Sequence, residues 1–129
     1  MLRLVVVCAG GAVGSGLRYL VGLIAIRALG TAFPYGTLAV NVIGSFLIAL
    51  ILAYAGSTSR ALSDATVLTL TTGVMGGFTT YSAFNEETLR FIEAGNSRVG
   101  LLYAICTFVA CLLAGALGHR LFTGASNFF

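Results

Sequence analysis

The chain has 129 residues, of which 58% are hydrophobic and only 9% are charged, and its mean hydropathy is +1.01. Soluble domains carry roughly 25% charged residues, so this composition excludes a soluble globular protein and indicates one integral membrane domain over residues 1–129. The net charge of +3 comes from seven scattered arginines, which do not form the basic patch that binding to nucleic acid needs.

Four apolar segments are long enough to cross a membrane as helices, which takes about 20 mainly apolar residues each. We predict spans at about 4–26, 37–55, 64–93 and 99–122. The third segment begins after Ser63, a plausible N-cap. It is too long for one straight span, and we expect it to be broken near Gly76-Gly77. The fold class is therefore an all-α membrane protein with four transmembrane helices.

Arginines decide the orientation of a membrane protein, and here they are nearly balanced. Four spans place both termini on one side, with three arginines there and two or three on the other. The chain could therefore insert both ways and form an antiparallel dimer, or a weak bias could still select one orientation. The terminal-side arginines are Arg3, Arg60 and Arg120, and the others are Arg27, Arg98 and, near the edge, Arg90.

Small residues are abundant on the first two helices. Gly10 and Gly14 form a small-xxx-small pair, and Gly44, Ser45 and Ala49 share a face of the second helix. Such faces let helix backbones approach closely in lipid. They are consistent with packing inside the chain or with a homodimer.

The third segment places a glycine pair and then a run of hydroxyls inside an apolar stretch. Lipid tolerates a broken helix only where protein or a water-filled path satisfies the backbone, so residues 73–85 indicate a binding or permeation site. Thr80, Phe84 and Glu87 share one helical stripe. The aromatic rings are either core or, through their positive edges, part of an anion path.

Polar side chains on the other helices have two interpretations each. Asn41 either makes a structural bond between helices or donates to a permeating species. Tyr103, Thr107 and Cys111 share one face of the fourth helix as a second polar track, although Thr107 could bond its own backbone instead. Arg18 either extends to the interface or serves an aqueous vestibule.

No group of residues resembles a catalytic site. The chain has one histidine, His119, beside Arg120 near an interface, and it has no phosphate-binding loop. We therefore predict that the protein is not an enzyme.

Three blocks of the sequence resemble the Fluc (CrcB-type) family of fluoride channels. They are the glycine-rich stretch 10–19, the second-helix stretch 36–46 and the polar stretch 73–84. The match spans nearly the whole chain, and the blocks come in the family's order.

The resemblance implies passive fluoride export that lowers cytoplasmic fluoride, through two pores of an antiparallel, dual-topology homodimer in a bacterial inner membrane. It implies that the backbone carbonyls of Gly76 and Thr79 hold a structural Na⁺ at the dimer centre. Glu87 matches the family's outer glutamate, and we place Arg18 with it as a vestibule residue. The residues that match the fluoride pore are Asn41, Thr80, Tyr81, Ser82, Phe84, Tyr103, Thr107 and Cys111.

Three positions depart from the family's pattern. Tyr81 stands where phenylalanine is usual, Ala83 replaces a usual hydroxyl, and Cys111 replaces a usual serine. The polar tracks are thus the part of the site in which this chain differs.

Two other classes compete with a fluoride channel. A small dual-topology multidrug efflux transporter would use an acidic residue within a span, but the first and second helices have none. A non-transporting assembly protein built on glycine packing would leave the polar broken helix unexplained.

Overall fold

A computed structural model describes residues 1–57 and 62–123, and every regular element in these two ranges is a helix. Arg60, which entered the orientation count, lies outside the described residues. The elements are α1 (Leu2–Leu29), α2 (Tyr35–Ser57), α3 (Asp64–Leu68), a π-helix (Thr69–Met75), α4 (Gly76–Phe78), α5 (Tyr81–Glu93) and α6 (Ser97–Thr123).

Three helices in the described ranges are long and apolar enough to cross a membrane. The apolar stretches of α1, α2 and α6 have mean hydropathies of 1.7, 2.3 and 2.2. Large apolar side chains on α1 and α6, such as Leu20 and Leu113, are exposed. An exposed apolar surface of this kind is what lipid or a partner helix covers, and the chain is an all-helical membrane protein.

The third segment consists of two helical halves with a break between them. Ser63 caps its start as predicted, since its hydroxyl accepts the Thr66 backbone N–H at 3.2 Å. Helix then runs from Asp64 to Phe78, and Thr79 and Thr80 have extended backbones with ψ of 160° and 120°. The N-terminal half contains the π-helix, a form common at functional sites.

The break lies after the predicted position. The break expected near Gly76-Gly77 is present, but it falls two residues later, at Thr79 and Thr80, because Gly76 and Gly77 are both helical. The reason is packing, because a Cβ on Gly77 would come within 2.5 Å of the Gly11 carbonyl oxygen. Gly77 therefore lets two helices approach, and polar contacts at Thr80 make the break.

Glycines on α1 and on the third segment face one another. Gly10 and Gly14 are buried, and a Cβ on Gly73 would lie 3.1 Å from the Gly10 Cα. A Cβ on Gly14 would overlap the Val74 carbonyl oxygen. Of the two interpretations of this small-residue face, the structure supports packing within the chain.

Gly14→Ala should destabilise the protein strongly. The added methyl has no space beside the Val74 carbonyl, and overpacking of this kind costs about 1–3 kcal/mol. Thermal unfolding in detergent measures the effect.

Gly16→Ala is the matched control, since a Cβ at Gly16 meets nothing within 4 Å. It should leave the unfolding temperature unchanged or raise it, because alanine favours helix over glycine. Equal stability of the two variants would contradict the close packing of α1.

The remaining helices complete the bundle. Helix α6 packs along α2, with Gly118 against the Phe46 carbonyl, and α5 packs on α6 near Gly100. A small apolar core of Val40, Met75 and Phe78 lies between α2 and the third segment. This core packs the end of the N-terminal half of the third segment against the first third of α2.

Candidate functional site

A groove of about 670 Å³ runs between α2, the broken third segment and α6. We call it the central groove. It gathers most residues that the sequence assigned to the pore and to the Na⁺ site, and none of its described lining residues carries a charged side chain. The predicted residues on it are Asn41, Gly76, Thr79, Thr80, Tyr81, Phe84, Thr107 and Cys111.

Asn41 holds the backbone at the break. Its Nδ2 donates to the Thr80 carbonyl at 2.9 Å, and its Oδ1 accepts the Thr80 N–H at 2.8 Å. The structural bond between helices that the sequence offered as one interpretation is thus present. An amide has two donor hydrogens, so one remains for a further acceptor in the central groove.

The break also changes the partners of two backbone carbonyls. In an unbroken helix the Thr80 N–H would donate to Gly76 and the Ala83 N–H to Thr79. Here the Thr80 N–H donates to Asn41, and the Ala83 N–H donates to the Thr80 hydroxyl at 3.3 Å. The carbonyls of Gly76 and Thr79 therefore lack their usual helical donors, which suits them to bind a cation.

Thr107 has a buried hydroxyl without a partner. The residue is 3% exposed, and its Oγ1 has no hydrogen bond among the described residues. Hydroxyls elsewhere donate to the carbonyl one turn earlier, as in Thr71 to Val67 at 2.7 Å, but Thr107 does not. Buried polar groups are nearly always bonded, so this donor on the central groove is suited to an acceptor ligand.

Aromatic rings close one end of the central groove. The Phe84 ring is tilted against Tyr81, with centroids 5.8 Å apart, and against Tyr103 at 5.3 Å. Tyr81 is 76% exposed and lies at the rim. Phe84 thus separates the central groove from the ring cluster around Tyr103, where Phe33 packs edge-on at 5.2 Å.

A second groove, which we call the outer groove, has a volume of about 560 Å³. It is lined by the loop after α1, the start of α2 and the end of α5, and it includes Thr37, Glu87 and Arg90. The Glu87 carboxylate accepts the Thr37 hydroxyl at 2.7 Å and the Tyr103 hydroxyl at 2.8 Å. Glu87 is therefore fixed at the wall of the outer groove.

Besides Glu87, three predicted residues lie apart from the central groove. Tyr103 is 2% exposed and directs its hydroxyl to Glu87. Ser82 is exposed, with its hydroxyl 3.3 Å from that of Thr80. Arg18 is half-buried on α1 and lines neither groove.

Sequence reasoning missed Thr37 and Phe33. Thr37 bonds Glu87 from 50 positions away in the chain, and nothing local distinguishes its hydroxyl from others. Phe33 precedes Pro34 in a short turn, where an aromatic ring carries no periodic signal.

Comparison with known proteins gives one consistent result. A family model described as "CrcB-like protein, Camphor Resistance (CrcB)" matches residues 5–119. A protein of Anaeromyxobacter sp. (strain K) is 53% identical over 88% of this chain and 90% of its own length. A protein of Thermus thermophilus is 45% identical over 94% of this chain and 95% of its own length. A protein of Agrobacterium fabrum is 42% identical over 95% of this chain and 100% of its own length.

All three relatives carry the name "Fluoride-specific ion channel FluC". The family match and these identities extend over the break of the third segment and both walls of the central groove. The chain belongs to the CrcB family.

Proposed function

We propose that this protein is a fluoride-selective channel that exports fluoride passively and so lowers the cytoplasmic concentration. The observation that carries the proposal is the unpartnered hydroxyl of Thr107 on an uncharged groove. The remaining amide hydrogen of Asn41 and the edge of the Phe84 ring are further neutral donors on the same groove. The relatives' names support the same activity.

Neutral donors suit conduction of this anion. Fluoride is small and strongly hydrated, so a path must replace its water with close hydrogen-bond donors. A fixed cation at the narrowest point would bind it too tightly, because conduction needs sites that are favourable but escapable. The described lining of the central groove offers donors without a cationic side chain.

The arrangement favours a channel over a drug transporter. Proton-coupled export of cationic drugs needs a titratable carboxylate on the path. The Glu87 carboxylate lies in the outer groove and is held by Thr37 and Tyr103. Among the described residues that line the central groove, none is acidic.

The activity is tested in liposomes loaded with fluoride. Purified protein should discharge fluoride when a potassium ionophore supplies a counter-ion path, and without any proton gradient. Discharge that needs a proton gradient, or vesicles as tight as protein-free ones, would contradict the proposal.

A second copy of the chain would complete the conduction path. The central groove is open on one side, and its rim carries Tyr81 and Phe108, which are 76% and 64% exposed. We infer an antiparallel homodimer with two pores in the inner membrane, in which the two halves of the third segment cross together as a fourth span. The nearly balanced arginines support insertion in both orientations.

The backbone carbonyls of Gly76 and Thr79 would hold a structural Na⁺. Unwound backbone carbonyls coordinate Na⁺ in broken membrane helices, and these two have lost their helical donors to Asn41 and Thr80. When bound, the ion would supply positive charge that joins the breaks of two copies.

Replacing Na⁺ by a large organic cation should therefore slow fluoride flux while the preference for fluoride over chloride stays the same. The reason is that the ion would bind backbone carbonyls at the break, whereas the hydrogen-bond donors proposed to select fluoride are the side chains of Asn41, Phe84 and Thr107. Fluoride efflux from liposomes prepared without Na⁺ measures the effect, with Na⁺ added back as the control. Equal flux in both solutions would remove Na⁺ from the proposal.

A further inference from the structure

The outer groove carries an ion pair whose residues are not among the proposed donors to fluoride. Arg90 donates to Glu86 in a two-pronged arrangement, with Nη2 2.8 Å from Oε1 and 2.6 Å from Oε2, and with Nε 3.1 Å from Oε1. The two residues lie one turn apart on α5, and their side chains are 70% and 59% exposed. The pair is thus exposed at the mouth of the outer groove.

The position of the pair matters because few charges line this groove. Arg90 and Glu87 are the charged residues among its described lining, whereas Glu86 lies outside the lining. Glu87 is already held at the wall by two hydroxyls. Arg90 is therefore the charge on this groove with which an approaching anion would interact favourably.

We propose that Glu86 sets how strongly the outer groove attracts anions, because it neutralises Arg90. Charges that line a cleft raise or lower the local concentration of an ion and its rate of arrival. With Glu86 bound to Arg90, the pair adds no net charge to the mouth. Glu86 thus affects the rate at which anions arrive without touching the permeating ion, and this role rests on the proposed channel function.

The test is the fluoride efflux rate of purified channels in liposomes at low fluoride concentration. At an ionic strength of ~0.01 M, where charges act over about 30 Å, Glu86→Gln should speed efflux about two- to threefold, because Arg90 is unmasked. Arg90→Gln should slow efflux by a similar factor, because Glu86 is left as a bare carboxylate. The double variant should return to the rate of the unchanged protein.

Salt and a control variant make the result specific. At ~1 M salt, where the screening length is about 3 Å, all four proteins should conduct equally. Glu93→Gln removes the same charge from an exposed residue of α5 that lines neither groove, and it should change the rate by much less than Glu86→Gln.

Three results would overturn the inference. They are a Glu86→Gln rate equal to that of the unchanged protein at low salt, an equal acceleration by Glu93→Gln, and a double variant as fast as Glu86→Gln alone. Each of these leaves the channel function standing, since that function fails only if the unchanged protein does not conduct fluoride.

Discussion

Thr107→Val should lower fluoride flux by about ten- to a hundredfold while the protein becomes no less stable. A hydrogen bond to a charged group is worth about 1.5–3 kcal/mol, and each 1.4 kcal/mol changes a rate about tenfold. Valine has nearly the same shape, and it removes a buried hydroxyl without a partner. Efflux from liposomes and thermal unfolding in detergent measure the two effects.

The control for this substitution is Thr69→Val. The Thr69 hydroxyl donates to the Ala65 carbonyl at 2.7 Å, and the residue does not line the central groove. Loss of the Thr69 hydroxyl should leave fluoride flux unchanged. If Thr107→Val lowered stability and left flux per folded protein intact, Thr107 would be a packing residue and not a donor to fluoride.

Asn41→Asp should lower fluoride flux by about a hundredfold or more, and it should lower the free energy of unfolding by about 1–3 kcal/mol. The carboxylate keeps an acceptor for the Thr80 N–H, but it places an oxygen where Nδ2 donates to the Thr80 carbonyl at 2.9 Å. It also removes the amide donor and, when ionised, repels anions. The break of the third segment and the path are thus both damaged.

Asn85→Asp is the matched control, because Asn85 is exposed on α5 and lines neither groove. It should conduct like the unchanged protein. If the Asn41→Asp variant were stable and conducted fluoride normally, Asn41 would neither fix the break nor donate to fluoride.

Hydropathy was sufficient to predict the long helices, since each of α1, α2 and α6 is one apolar run. It was not sufficient to predict the position of the break in the third segment. Gly76-Gly77 suggested a weak point, but glycine serves equally for close packing, and here Gly77 approaches the α1 backbone. The break depends on the contact of Asn41 with Thr80, which are 39 positions apart.

The site residues divide in the same way. Asn41 and Thr107 were identified because polar groups inside apolar helices need partners, and Phe84 because its ring shares a helical stripe with hydroxyl-bearing residues. All three line the central groove. Tyr103 was assigned to the same path from its helical spacing with Thr107, yet its hydroxyl reaches Glu87 on α5. Spacing gives the face of one helix, and the partner across the interface depends on how the helices pack.

The measurement that tests the central claim most directly is the reversal potential of the purified protein in a bilayer, with fluoride and chloride in opposing gradients. A groove whose described lining offers neutral donors and no cationic side chain predicts a potential close to the fluoride equilibrium value. A potential close to the chloride value, or one midway between the two, would contradict selection of fluoride by these donors.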